Sequence, residues 1–209
     1  MTPPAPQPQP ASQRPDRPAT RPYLRAADRR RQLLDAAARI AGREGLERLS
    51  MVGVAAEAAV SRQLVYEHFS DLSSLVMAML IDRFGDYDAK VTRAIGDTDA
   101  SGLDAALLAA GELLSLPAQE RHILRVLLAY AGIPRHELSF LAHRLRARSM
   151  DRWTGLLETP DDPRSRALTW AVVNALFGLG DLVDAGEITV QQGLEEFRLL
   201  VVAAAPELS

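Results

Sequence analysis

The sequence predicts an all-α protein: an N-terminal three-helix helix-turn-helix domain followed by a larger helical body, about nine helices in total. Three observations carry this. From Arg25 onward apolar residues recur at three- and four-residue spacing, and no segment alternates with period two between hairpin turns. Capping residues stand where the periodic segments begin, and Gly, Pro or short polar groups where they end. The 209 residues are 47% apolar and 24% charged, an ordinary balance for a packed, water-facing chain.

Residues 1–22 hold eight of the 13 prolines and almost no large apolar side chains, so they are expected to form a disordered Pro-rich tail. Its arginines, Arg14, Arg17 and Arg21, either brush a polyanion or are simply solvated. Residues 23–71 form the first domain. Leu33, Ala37, Ile40 and Ala41 mark one face of a helix that ends at Gly45. Ser50 caps a short helix over 51–58 with Val54, Ala55 and Ala58 turned inward, and Ser61 caps another over 62–69. Asp71 caps a longer helix from Leu72, where the second domain, 72–209, begins. Breakers at 96–102, 116–117, 132–134, 159–163 and 185–186 divide it into helices near 72–95, 103–115, 118–131, 135–158, 164–184 and 188–204.

Composition narrows the function. With no cysteine there is no disulfide framework, thiolate metal site or cysteine nucleophile. Net charge is −3, but residues 1–70 hold 11 arginines against 7 acids, +4, which leaves −7 on the remainder. A basic N-terminal part on an acidic body confines polyanion contacts to the first domain. The run Val76–Ile81 is far too short to span a bilayer, which needs roughly 18 apolar residues. The N-terminus lacks the apolar core of a signal peptide, so no membrane partner and a cytoplasmic location are expected. No Gly-rich phosphate loop, nucleophile elbow or paired-histidine motif appears, so no catalytic residues, metal ligands or cofactor are assigned. The acid pairs Asp161-Asp162 and Asp181/Asp184 fit a helix cap and a solvated face.

The two short helices and the three residues between them make a helix-turn-helix. On the second, Val65 and Phe69 share the inward face, leaving Arg62, Gln63, Tyr66 and Glu67 outward. Those side chains suit a major groove: Arg62 for phosphate or guanine, Gln63 for adenine, Glu67 for cytosine, and Leu64 for a thymine methyl. Tyr66 and the hydroxyls of Ser50 and Ser61 can reach phosphate oxygens. Half of such spacings in an all-helical chain are ordinary packed helices, so the pattern alone leaves both readings open.

Residues 50–72 read SMVGVAAEAAVSRQLVYEHFSDL, and residues 30–80 as a whole resemble the DNA-binding domain of the TetR family of transcriptional repressors. The resemblance covers about 50 of 209 residues and is most specific over 54–69. Ala59 stands where the family usually has glycine, Val65 where it has leucine, and Leu72 where a lysine often contacts phosphate. The resemblance implies that the phosphate grip rests on Arg25, Arg29, Arg30, Tyr66 and His68. His68 on its own could instead be a packed histidine.

The same resemblance implies a body that dimerises through its last two helices and holds a small effector among the middle ones. Ala167, Ala171, Asn174, Ala175 and Gly178 permit close helix approach, and Leu194, Phe197 and Val201 recur at helical spacing, which fits a homodimer interface. An intramolecular core would use the same spacing. Phe84, Leu124, Leu127, Tyr130, Phe140, Trp153, Trp170 and Phe177, with Met77, Leu80 and Leu107, are candidate lining for a mostly apolar effector, or plain core. The expected protein is a repressor that binds a palindromic double-stranded DNA operator as a dimer and is released by that effector. The alternative is a DNA-binding regulator without an inducer, constitutive or controlled by a protein partner.

Overall fold

The computed structural model describes residues 26–130 and 139–204, the side chains of 127–130 excepted. The Pro-rich tail, Arg25, and the side chains of Leu127 and Tyr130 thus lie outside the described residues. Nine α-helices follow one another among the described residues: α1 Ala26–Glu44, α2 Met51–Glu57, α3 Arg62–His68, α4 Leu72–Gly96, α5 Gly102–Leu114, α6 Ala118–Tyr130, α7 Ser139–Leu156, α8 Pro163–Asp184 and α9 Val190–Ala204. A 3₁₀ turn, Leu46–Arg48, joins α1 to α2. The chain is all-α, with no strand among the described residues.

The ends of these helices have local causes. α1 stops at Gly45, whose φ of 96° lies in the left-handed region that glycine enters freely. α4 opens on a capping box: Asp71 accepts from the Ser74 amide at 2.7 Å, and Ser74 Oγ accepts from the Asp71 amide at 3.3 Å. Asp162 accepts from the Arg164 and Ser165 amides and opens α8. Pro163 begins that helix instead of separating it, because the first helical position has no partner for an amide hydrogen. α9 starts at Val190, later than the periodicity suggests. The Thr189 amide donates to Gln192 Oε1 at 2.8 Å and the Gln192 amide to Thr189 Oγ1 at 3.2 Å, so Thr189 sets the start.

One apolar core runs unbroken from α1 to α9. α4 packs on α1, α5 and α6, α1 also lies on α6, and α8 packs on α5, α6, α7 and α9. The α1–α6 approach is close: a Cβ at Gly42 would stand 2.5 Å from Gln119 Cβ. Charges tie α1 to α4 as well. Arg31 pairs with Asp86 at 2.5 Å, and Arg83 bridges Asp35 at 2.5 Å and Asp82 at 2.7 Å. Asp181 and Asp184 are not simply a solvated face, for they pair with Arg125 and Arg121 of α6. α8 contains an 18-residue window of mean hydropathy 1.3, by length and composition apolar enough to cross a membrane, with 33% of it buried inside the protein.

Candidate nucleic-acid interface

α2 and α3 are each two turns long, so packing and capping must hold them. Ser50 Oγ accepts from the Gly53 amide at 3.0 Å, and Ser61 Oγ from the Leu64 amide at 3.2 Å. Each hydroxyl keeps its own proton free to donate outward. The turn between them is made by Ala59 at φ 52°, a left-handed alanine. The Val60 amide closes it onto the Ala55 carbonyl at 2.9 Å, and Gln32 of α1 donates to the Ala58 carbonyl at 2.9 Å. Beneath α3, Val54 and Val65 are fully buried and Phe69 nearly so. The second helix is thereby pinned with one defined face outward.

That face carries Arg62, Gln63, Tyr66 and Glu67, all exposed, with Leu64 and His68 half-buried at its edges. Gln63 Nε2 donates to Glu67 Oε1 at 3.3 Å, so these two side chains, one turn apart, form a single polar unit. Tyr66 is 55% exposed, and Val52 on α2 is 43% exposed. Sequence reasoning left out Val52, although a large apolar side chain opposite Met51, Val54 and Ala55 on a two-turn helix was visible in the pattern.

The arginines sort into two groups. Arg31, Arg39 and Arg43 are paired with carboxylates, and Arg39 together with Arg43 holds the Glu57 carboxyl below its usual range. Arg29, Arg30, Arg48 and Arg62 have no carboxylate partner among the described residues. Arg29 donates to Gln32 Oε1 at 2.5 Å, and the Arg30 guanidinium sits 4.4 Å over the Phe69 ring, which leaves its N–H edges unused. Arg48, exposed on the 3₁₀ turn just before the Ser50 cap, was not among the sequence candidates. Leu72 is half-buried and packs against the core instead of presenting a charge.

In the body, Phe84, Leu124, Trp153 and Phe177 converge with Tyr87, Leu113, Ser149 and Val173 around a void of about 10 Å³, room for no more than one water. The buried Tyr87 hydroxyl donates to the Ala109 carbonyl at 3.1 Å, and burial raises its pKa. Phe140 is not part of this lining: it is 73% exposed on the first turn of α7. Met77 is also exposed, and Trp170 faces a different cleft. On α8, Ala167, Ala171, Asn174 and Gly178 are exposed and Ala175 half-buried, whereas Phe197 and Val201 of α9 are buried within the chain. Phe197 meets Trp153 edge-to-face at 5.9 Å, so it has no surface left for a second copy, and Leu194 turns inward toward Gly111. Among the described residues no three His, Asp or Glu side chains are placed to hold a metal.

Residues 33–79 match the family model for bacterial regulatory proteins of the tetR family. In fold the chain is similar to a TetR-like transcriptional regulator from Rhodococcus sp. RHA1, with a TM-score of 0.70 at 22% identity over 86% of this chain and 96% of that one. A TetR-family member from Streptomyces coelicolor A3 gives 0.61 at 25% identity, over 83% and 98%. The multidrug binding protein EbrR, solved with imidazole, gives 0.55 at 25% identity, over 82% and 94%. No curated protein matches the chain. The matched domain is the one built above from Ser50, Ser61, Val65 and Phe69: residues 33–79 form a DNA-binding helix-turn-helix domain of the tetR family of bacterial regulatory proteins.

Proposed function

We propose that two copies of this chain bind a palindromic operator and repress transcription, each placing α3 in a major groove. The observation that carries this is the outward face of α3, where Arg62, Gln63, Tyr66 and Glu67 stand exposed above a fully buried Val65. Gln63 and Glu67 read bases; Arg62 reads guanine or grips phosphate, and Leu64 meets a thymine methyl. Arg29, Arg30, Arg48, Tyr66, His68 and the Ser50 and Ser61 hydroxyls grip the backbone, since none of those arginines is paired with an acid among the described residues. Residues 23–71 form the reading domain, and 72–209 the dimerising and regulatory one.

The dimer forms through α8, whose exposed Ala167, Ala171, Asn174 and Gly178 allow close approach, flanked by Leu168 and Leu182 and by Leu199 and Leu200 of α9. These leucines are 37–62% exposed, apolar area that a second copy would cover. The protein works in the cytoplasm, where the operator is.

Release comes from a small, mostly apolar effector that parts Phe84, Leu124, Trp153 and Phe177 and shifts α4, whose first turn follows the reading helix directly. The likeness to EbrR, a multidrug binding protein, supports an effector. A second reading, regulation without an inducer, draws on the near absence of empty space in that interior.

Two substitutions separate base reading from backbone grip. Tyr66→Ala should weaken all duplexes alike, whereas Gln63→Ala should relax one base position by about 1–3 kcal/mol. Equal affinity of both variants and wild type for every duplex would remove α3 as the reading element.

A further inference from the structure

A cleft of about 510 Å³ opens between α7 and α8, on the flank of α8 beside the small-residue face. α7 lines it with His143, Arg146, Ala147 and Met150, spaced i, i+3, i+4, i+7 on one face, and Arg166, Ala167 and Trp170 line it from α8, Ala167 at the edge shared with the face proposed for the second copy. Met150 is buried and makes an apolar floor with the alanines. The Arg146 guanidinium lies 4.4 Å over the Trp170 ring. Arg166 is engaged by Asp161 at 3.1 Å and Asp151 at 3.7 Å, neither of which lines the cleft. Arg146 has no carboxylate partner among the described residues. His143 holds the Ser139 carbonyl through Nδ1 at 2.7 Å, which assigns the proton to that nitrogen.

A half-buried guanidinium, held flat by an indole and with no acid beside it among the described residues, is preorganised for an anion. Stacking fixes the plane of the group but uses none of its in-plane N–H donors, and these match a carboxylate two at a time. The walls favour an anion with an apolar body. A bare phosphate would gain nothing from Met150, Ala147 and the indole, while the volume falls in the ordinary range for small-molecule sites. We propose that this cleft binds an organic carboxylate, its charged end paired with Arg146 and its apolar end over Met150 and Ala147 beside Trp170. The site is separate from the closed interior of the body, and it does not depend on the assignment of the DNA-reading face.

The test titrates the full-length protein with 4-phenylbutyrate, its uncharged amide and inorganic phosphate, by calorimetry and tryptophan fluorescence. The acid should bind at least about tenfold more tightly than the amide and than phosphate, the factor expected for one charge-assisted bidentate pair. Arg146→Gln should reduce the acid to the amide's affinity, while Ala147→Phe, which fills the cleft and leaves Arg146 in place, should weaken both. Equal binding of acid and amide, an undiminished preference in Arg146→Gln, unchanged binding in Ala147→Phe, or no binding of the acid would each overturn the assignment. Unchanged far-UV circular dichroism and melting would show that the variants fold, and if Arg146→Gln does not, Ala147→Phe decides alone.

Discussion

Replacing Arg121 by methionine is expected to cost more stability than any surface charge change in the protein. Arg121 is buried on α6, and its Nη1 donates to the carbonyls of Leu113, Leu114 and Leu116 at 3.0, 2.7 and 3.1 Å. Its Nη2 donates to Asp184 of α8. One guanidinium therefore satisfies the C-terminal end of α5 and links α5, α6 and α8. Methionine keeps the aliphatic packing but leaves the Leu114 and Leu116 carbonyls and the Asp184 carboxylate without this donor, while the Leu113 carbonyl keeps the Leu116 amide at 3.2 Å. At about 1.5 kcal/mol for each charge-assisted bond, the low end of the range, the three carbonyl bonds sum to roughly 4–5 kcal/mol. Water can recover part of this, since Arg121 borders an open cleft of about 230 Å³ and the Asp184 side chain is 31% exposed. A net loss of about 3 kcal/mol follows, at the low end for breaking a buried pair. Urea unfolding followed by circular dichroism at fixed protein concentration reads it directly, and Tm should fall by roughly 6–12 °C for a chain of this size. A loss below about 1 kcal/mol, the range of exposed ion pairs, would refute the reasoning.

Three further outcomes are expected. Ala59→Gly should raise stability by ~1 kcal/mol, because Ala59 holds a φ of 52° that costs an L-residue about that much; a lower melting temperature would refute it. Gly42→Ala should lower stability by about 1–3 kcal/mol, since the new Cβ would lie 2.5 Å from Gln119 Cβ, an atom fixed to the backbone; an unchanged urea midpoint would count against it. The Ser74 amide, then the Ser70 hydroxyl, hold the Asp71 carboxyl below the usual carboxylate range. A depressed carboxylate stabilises the fold above its ordinary pKa, and that stabilisation is lost as pH falls through the depressed value. Asp71→Asn keeps the cap but removes the titration, so acid unfolding followed below pH ~4 should be shallower than in wild type. An identical acid limb would show that Asp71 does not contribute to it.

Much of the fold was legible in local sequence. The caps Ser50, Ser61 and Asp71 and the spacing of Val65 and Phe69 are short-range signals, and the helices begin and end close to where they point. What could not be read was which surface covers an apolar face. Phe197 and Val201 have the spacing of an interface residue and of a core residue alike, and only the position of Trp153 across the bundle decides between them. Phe140 reads as lining material but lies on the first turn of α7, where no neighbouring helix covers it. Arg121 gave no signal, since a lone arginine in an amphipathic helix looks solvated until α5 and α8 are placed around it. At the reading face, side-chain type and helix face were visible together, whereas the sorting of arginines into neutralised and free required the positions of Glu57, Asp82 and Asp86.

The central claim is that two copies of α3 read a palindrome, and selection of bound duplexes from a random pool at physiological salt tests it most directly. The expected result is enrichment of one inverted repeat whose half-site centres lie about one helical turn apart, roughly 34–36 Å, or slightly more. Recovery of no common sequence, or of a single half-site without its mate, would contradict it.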